Sequence, residues 1–112
     1  MKKIEAIIRR SKYRAVKEAL HQVDVQFFSY WDVTGIGHEK EGHVYRGVSY
    51  STSDIQRRFL SIVVNDDFAE PTIQAILKSA KTGDVGDGKI FVSDIKESYR
   101  IRTGEKGGKT LK

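Results

Sequence analysis

A change of hydrophobic period along the chain constrains its fold more than any other feature of the sequence. Residues 2–9 alternate between apolar and mostly charged side chains, which is the pattern of a half-buried strand. Apolar side chains then recur with helical spacing over about 12–23, where Ser11 is the predicted N-cap. Residues 25–36 return to a β-rich pattern punctuated by glycine. The first third of the chain therefore predicts a strand, a helix and a second strand.

The next part of the chain repeats this alternation. The nearly continuous apolar run at 59–64 is typical of a central strand. A helix is predicted over about 68–81, with Asp67 and Glu70 spaced as a capping box and Pro71 in the first turn. Its predicted buried positions are Ile73, Ile76, Leu77 and Ala80.

The last third of the chain is predicted to hold two further strands. Gly83 is the expected stop of the second helix, and residues 89–95 form the fourth strand. Residues 99–102 are predicted to be a short edge strand. The tail at 104–112 is rich in glycine and lysine and contains no core residues, so we expect it to be mobile when no ligand is bound.

The resulting order β-α-β-β-α-β is that of the ferredoxin-like sandwich, an α+β fold with one antiparallel sheet and both helices on one face. Such a sheet leaves its other face bare. Here that face carries apolar side chains that include Ile7, and oligomerisation is the expected cover.

Size and composition narrow the class of protein. The chain has 112 residues, which predicts a single domain over 1–112. No apolar run approaches the ~18 residues of a membrane span, and the charged start at 2–5 argues against a signal peptide. The absence of cysteine fits a cytoplasmic protein. A net charge of +5 favours anionic partners without choosing among nucleotides, nucleic acid and acidic membranes.

A glycine-rich segment at 82–91 is the strongest chemical signal. Glycines let backbone N–H groups approach an anion closely, and Lys89 adds a mobile charge. The spacing resembles a Walker A motif, but Ile90 replaces the Mg²⁺-binding hydroxyl and the segment leads from a helix into a strand. We expect nucleotide binding of another kind. The alternative is a glycine-terminated helix and a turn with a solvated Lys89.

The stretch 38–57 lacks a core pattern and is long for so small a domain, so it is the predicted place for partners to bind. It also contains a set of metal-ligating side chain types at His38, Glu39, Glu41 and His43. They match no standard zinc spacing, and a solvated loop remains the simpler interpretation.

Five collinear segments together resemble the PII signal-transduction proteins over nearly the full chain. They are residues 1–9, 35–37, 45–50, 82–91 and 100–105. The resemblance implies a homotrimer that binds ATP or ADP in clefts between subunits and signals nitrogen, carbon or energy status. It also implies a regulated protein target, with an ammonium-transport channel as the leading candidate and no other contact with membranes.

The resemblance assigns roles to individual positions. It implies a T-loop at about 37–55, a B-loop at about 82–89, and a C-loop and tail at about 100–112. The implied nucleotide-binding residues are Ile7, Ser29, Gly35, Gly37, His38, Glu39, Val63, Gly86, Asp87, Gly88, Lys89, Arg100 and Arg102. The implied partner-binding residues are Lys40, Tyr45, Arg46, Gly47 and Tyr50, and Tyr50 also matches a tyrosine that some relatives modify.

The two arginines of the last segment admit two interpretations. Arg100 and Arg102 are two residues apart, so on an extended chain both face one side and can clamp phosphate oxygens. Without the resemblance, charges on an edge strand would more simply be protection against aggregation.

Departures from the family pattern modify the expected ligand. Glu39 stands where a glutamine usually helps to hold the Mg²⁺ that recruits 2-oxoglutarate. A carboxylate can still bind Mg²⁺, but its charge repels a triphosphate and a dicarboxylate. His38 replaces a common arginine, whereas Arg57 retains a positive charge. We expect a variant that senses the adenylate ratio, or another small anion or metal linked to a transporter, rather than 2-oxoglutarate.

Two other classes of function compete with this interpretation. An enzyme is not expected, because the sequence shows no Ser-His-Asp or Cys-His constellation and no evident base for ATP hydrolysis. An RNA-binding module shares the fold class, and Phe27, Phe28, Tyr30 and Trp31 could stack bases. The aromatic pattern of RNA-recognition strands is absent from the later strand, so we expect no nucleic-acid partner.

Overall fold

The computed structural model describes residues 1–37, 39–40, 50–51 and 54–112. Its strands are β1 (Lys2–Ile8), β2 (Ser29–Ile36), β3 (Glu39–Lys40), β4 (Tyr50–Ser51), β5 (Asp54–Val64) and β6 (Gly88–Asp94). Its helices are α1 (Tyr13–Gln22) and α2 (Asp66–Ala80), with short 3₁₀ turns at Arg10–Lys12 and Gly108–Leu111. No helix of the described residues is long and apolar enough to cross a membrane.

One antiparallel sheet organises the chain, in the order β2-β5-β1-β6. Setting aside the small β3-β4 pair, the elements follow the order β-α-β-β-α-β, and the predicted ferredoxin-like α+β fold is confirmed. At one end of β1, Ile8 pairs with Arg58 and with Gly88. At the other end, Lys2 pairs with Val64 and with Asp94.

The core lies between the sheet and the two helices. Alternate residues of β1 and β5 point into it, as the period-two pattern of the sequence requires. The buried side chains of these strands are Ile4, Ala6, Ile8, Leu60, Ile62 and Val64, and the helices add Val16, Leu20, Ile76 and Ala80. Burial of these apolar groups on one face is what holds both helices against the sheet.

The opposite face of the sheet is not covered by either helix. Ile7 pairs with Phe59, which pairs in turn with Trp31, so these three side chains form a row across β1, β5 and β2. Phe91 lies on the same face of β6 and is half-exposed. We call this the open face, and it carries Ile7 as predicted.

The start of α1 differs from the prediction. Ser11 lies inside the 3₁₀ turn, and Lys12 is the N-cap without any side-chain cap bond. The Lys12 N–H donates to the Arg9 carbonyl at 3.0 Å. The Tyr13 N–H, which a Ser11 cap would serve, donates to the Arg10 carbonyl, so the preceding turn satisfies this amide without a serine cap.

The start of α2 also differs. The helix begins at Asp66 behind the N-cap Asn65, and the capping box predicted from Asp67 and Glu70 does not form. Glu70 instead accepts a hydrogen bond from Gln74 Nε2 at 3.0 Å, one helical turn further on. The earlier start places two acidic side chains in the first turn, where they stabilise the positive end of the helix dipole.

The buried face of α2 is shifted from the prediction. Leu77, predicted to be buried, is half-exposed, whereas Thr72 is fully buried. The Thr72 hydroxyl donates to the Phe68 carbonyl at 2.7 Å, which satisfies it inside the core. Pro71 lies inside the helix rather than in its first turn.

The C-terminal part contradicts one prediction and shows contacts of the tail that the sequence pattern did not predict. Residues 99–102 are not a strand: Tyr99 forms a single bridge with Lys106, and the chain turns back at 101–103. The tail is folded, because Thr110 Oγ1 bonds to Ser98 Oγ at 2.8 Å. Gly104 and Gly107 adopt positive φ angles of 73° and 95°, which permit the reversal that the periodicity did not reveal.

Part of the predicted T-loop lies outside the described residues. This applies to His38, Tyr45, Arg46 and Gly47, and to the candidate metal ligands Glu41 and His43. For Glu39, Lys40 and Tyr50 the structure describes only the backbone of the two-stranded β3-β4 sheet.

Candidate functional site

The glycine loop, residues 82–89, connects α2 to β6 and depends on its glycines. Gly83, Gly86 and Gly88 have φ angles of 93°, 103° and 108°, which side chains disfavour. At Gly88 a Cβ atom would lie 1.7 Å from the Ile7 carbonyl oxygen, so no other residue fits there without moving β1. At Gly88 the backbone of the loop therefore passes too close to the end of β1 to leave room for a side chain.

The Asp87 side chain folds back into the glycine loop. Its Oδ2 accepts hydrogen bonds from the Thr82 and Gly83 amides, both at 2.9 Å, and its Oδ1 accepts one from the Thr82 hydroxyl. Burial raises the pKa of Asp87, but the bonds from Thr82, Arg9 and Gly83 outweigh it and hold that pKa well below its usual range. The first amides of the loop are thus occupied by a carboxylate of the same loop.

Two arginines attach the glycine loop to the central strands. Arg9 donates from Nε to Asp87 Oδ1 at 3.0 Å and from Nη2 to the Val85 carbonyl at 3.1 Å. Arg57, on β5, donates from Nε and Nη2 to the Gly86 carbonyl at 3.2 and 3.0 Å. The role of Arg9 is not among the roles predicted from the sequence. Its position directly after the residue that pairs with Gly88 is the signal that could have revealed it.

A cleft of about 580 Å³ opens between the glycine loop and the ends of β2 and β5. It gathers six predicted site residues: Ile7, Gly35, Gly37, Gly86, Gly88 and Lys89. Apolar side chains such as Val33 and Ile55 form much of its wall, and Arg57 and Lys89 supply positive charge. An apolar cleft with two cations suits a ligand that has both a flat apolar part and an anionic part.

A second cleft of about 480 Å³ lies near the start of β1, against the C-terminal tail. Val63 and Arg100 line it, whereas Ser29 and Arg102 line neither cleft. The Arg100 guanidinium lies 3.3 Å from Glu105 Oε2 and also donates to the Lys109 carbonyl at 3.3 Å. Because the chain turns after Arg100, the predicted extended pair of Arg100 and Arg102 is wrong.

The two clefts are at opposite ends of the sheet. Gly88 pairs with Ile8, whereas Val63 pairs with Lys3, so the two positions differ by five residues along β1. At ~3.3 Å per residue the separation along the strand is roughly 17 Å. A single chain therefore does not bring Lys89 and Arg100 onto the same phosphate group.

The four aromatic side chains considered for RNA stacking are mostly engaged within the chain. The Tyr30 ring lies 4.7 Å from that of Tyr13, the Trp31 ring lies 4.7 Å from that of Phe59, and Phe28 packs on the core. Phe27 is 81% exposed. No stacking platform of adjacent free rings exists among them. The described ranges also contain no group of three or more acidic or histidine side chains that could hold a metal.

Comparison with known proteins gives a consistent result. The family described as Nitrogen regulatory protein P-II matches residues 1–105. A nitrogen regulatory protein P-II of Bradyrhizobium diazoefficiens is 49% identical over 109 residues, covering 96% of each chain, and one of Azospirillum brasilense is 45% identical, covering 99% of this chain and 100% of its own. The solved structure of B. subtilis GlnK superimposes with a TM-score of 0.80 at 32% identity, covering 96% of each chain.

Proposed function

Since the chain belongs to the nitrogen regulatory protein P-II family of signal-transduction regulators, we propose that it binds ATP or ADP in clefts between the subunits of a homotrimer. The nucleotide then sets the conformation of the T-loop, residues 37–55, and the T-loop controls a target protein. The chain acts as a regulator of nitrogen metabolism or ammonium transport and not as an enzyme.

The main observation behind this proposal is the separation of the two clefts within one chain. Lys89 and Arg100 lie at opposite ends of the sheet, yet each has the charge to bind phosphate. A head-to-tail contact between copies brings the glycine-loop end of one chain to the Arg100 end of the next. When the rotation between copies closes, such heterologous contacts form a ring, and in a closed trimer every cleft receives residues from two adjacent chains.

The open face supports an assembly of this kind. It carries Ile7, Phe59, Trp31 and Phe91 next to one another on adjacent strands. Contiguous apolar area on a small soluble domain is costly unless a partner covers it. Because the first cleft opens at one end of the same face, burying the face between copies also closes the cleft.

The residues present fit an adenine nucleotide. A Cβ atom at Gly35 would meet no other atom within 4 Å, so there is room along β2, and the apolar wall of the first cleft suits a base. Glycine-loop amides and the ammonium group of Lys89 suit the phosphates, with the Arg100 fork from the neighbour. Bound Mg²⁺ would neutralise phosphate charge, and the Glu39 carboxylate is the residue we propose to hold it.

The target is proposed from the chemistry of the T-loop. Its proposed partner-binding residues are Lys40, Tyr45, Arg46, Gly47 and Tyr50, two of them basic and two aromatic. Such a segment suits the mouth of a transporter, and an ammonium transporter is the target we propose. Tyr50 is the candidate position for covalent regulation.

Calorimetric titration with ATP, ADP and AMP, with and without Mg²⁺ and 2-oxoglutarate, tests the ligand. We expect ATP and ADP to bind and AMP to bind more weakly, because fewer phosphates reach the cations. Tight binding of 2-oxoglutarate in the presence of Mg-ATP would contradict the effect assigned to Glu39. Steady release of phosphate would contradict a purely regulatory role, and a monomer in sedimentation would contradict the shared cleft.

A mixed-chain experiment tests the sharing directly. Lys89→Ala and Arg100→Ala each damage every cleft of their own homotrimer. When the two variants are co-expressed with different tags and the mixed trimers are isolated, some clefts combine an intact Lys89 from one chain with an intact Arg100 from its neighbour. Recovery of high-affinity binding in mixed trimers is expected, whereas a site formed within one chain would show no recovery.

A further inference from the structure

We propose that Asp87 and Arg9 are a positioning pair that holds the glycine loop in its nucleotide-binding conformation before a ligand arrives, with the Asp87 side chain touching neither nucleotide nor metal. The inference rests on the proposed function and refines it. Asp87 then contributes to binding through its backbone and through the shape it gives to the loop.

The contacts of the Asp87 carboxylate are already complete within the chain. Both oxygens accept hydrogen bonds from Thr82, and they accept further bonds from Gly83 and Arg9. The side chains of Asp87 and Arg9 are only 25% and 18% exposed. A carboxylate bound in this way acts as an internal anion that draws the first turn of the loop around itself.

Electrostatics gives a reason for this arrangement. An unpaired carboxylate beside a triphosphate would repel it. The Arg9 guanidinium compensates the charge at 3.0 Å and also holds the Val85 carbonyl at 3.1 Å. Arg57 fixes the adjacent Gly86 carbonyl from β5. Successive carbonyls of the loop thus bond to arginines, which leaves the loop little freedom to change shape when it is empty.

Asp87→Asn is the test of the pair, with Asp84→Asn as the matched control. Asparagine has the same size but no charge, and its NH₂ group must face at least one of the donors that now bond to the carboxylate. Asp84 lies in the same loop, is exposed, and its carboxylate has no partner among the residues that the structure describes. The two variants therefore make the same chemical change in two different settings.

Nucleotide titration distinguishes a positioning role from direct contact. We expect the dissociation constant of Asp87→Asn to rise roughly tenfold or more, equally in Mg²⁺ and in EDTA, while Asp84→Asn stays near the wild type. If the carboxylate faced the phosphates, its removal would tighten binding. If it were a metal ligand, the loss would disappear in EDTA. Either result overturns the proposal.

A readout without nucleotide separates this inference from the proposed function. In the ligand-free wild type, the Thr82 and Gly83 amides should be protected from hydrogen exchange, and Asp87→Asn should lose that protection while Asp84→Asn keeps it. Unprotected amides in the wild type overturn the pair even if nucleotide binds. Protected amides in a chain that binds no nucleotide overturn the proposed function, and with it the role in binding.

A double-mutant cycle tests whether the two residues act as a unit. If Arg9 works through Asp87, Arg9→Ala in the Asp87→Asn background should cost much less affinity than Arg9→Ala alone. Arg9→Lys should recover part of the loss through its charge, but not the bond to Val85. Independent, multiplicative losses would contradict the coupling of Arg9 to Asp87.

Discussion

Trp31 and Phe59 stack across neighbouring strands, with ring centroids 4.7 Å apart and planes inclined by 20°. Both belong to the open face, because Leu60, the next residue after Phe59 on β5, points the other way and is buried in the core. The stack is ordered within a single chain yet leaves half of Trp31 exposed. Rigid aromatic area of this kind is typical of the centre of a subunit interface.

Trp31→Ala is therefore expected to weaken the assembly more than the fold. Interface aromatics cost about 2 kcal/mol or more when truncated, so the proposed trimer should dissociate at concentrations at which the wild type stays assembled. Sedimentation velocity over a dilution series measures this. Leu77→Ala, a half-exposed apolar residue on the helix side, is the control and should leave the assembly unchanged.

Lys89→Ala is expected to reduce nucleotide affinity without unfolding the chain. It removes a charge-assisted contact worth about 1.5–3 kcal/mol, which is roughly ten- to a hundredfold in the dissociation constant. Calorimetric titration with ATP measures the loss, and Lys78→Ala on the exposed side of α2 is the matched control. Equal affinities for the two variants would show that Lys89 does not contact the nucleotide.

Arg102→Ala is expected to reduce nucleotide affinity as Lys89→Ala does if the exposed turn at 101–103 reaches the neighbour's cleft.

Alanine substitutions at Gly88, Gly83 and Gly35 are expected to destabilise the fold by decreasing amounts. Gly88→Ala should cost about 3 kcal/mol or more, because a positive φ and a collision with the Ile7 carbonyl act together. Gly83→Ala meets no atom within 4 Å but keeps the positive φ, so about 1–2 kcal/mol is expected. Gly35→Ala has neither problem. Urea denaturation of the three variants measures the order, and a Gly88→Ala chain as stable as Gly35→Ala would contradict the close approach.

The sequence predicts the sheet and helices well because burial alternates with period two in β1 and with helical spacing in α1. The same regularity places Ile7 on the open face. It does not reveal the bonds of Asp87, which depend on β1 pairing with β6 and bringing Arg9 beside a loop that is distant in sequence. Such a contact follows from register and not from local pattern.

The ends of elements are the least predictable part. Asn65 is the N-cap of α2, but its side chain donates to the Gly108 carbonyl at 3.0 Å and thereby anchors the tail. The sequence predicts a mobile tail because the tail has no apolar core residues. It does not reveal the hydrogen bonds of the tail, because their partners lie elsewhere in the chain. The likeness of 82–91 and 100–105 to the PII family predicts residues of both clefts, whereas their separation on one chain required the structure.

Acid should destabilise the protein partly through Asp32. Its carboxylate accepts hydrogen bonds from Arg58 at 2.8 and 3.4 Å, and Arg58 also lies over the rings of Tyr13 and Tyr30. The hydrogen bond from Arg58 holds the pKa of Asp32 below its ordinary 3.8 against the opposing effect of burial. Asp32 is 49% exposed, so solvent screens part of the interaction and the contribution is modest.

The direction in which pH changes the free energy of unfolding follows from proton linkage. Below the unfolded pKa of 3.8, the unfolded chain takes up protons that the folded chain still excludes, so protons favour unfolding. The stabilisation is complete above that value and is lost as the pH falls through the lower, folded pKa. The free energy of unfolding from urea titrations between about pH 5 and pH 2 should therefore fall more steeply for the wild type than for Asp32→Asn. Parallel curves for wild type and Asp32→Asn would show that the Arg58 bond does not contribute to stability.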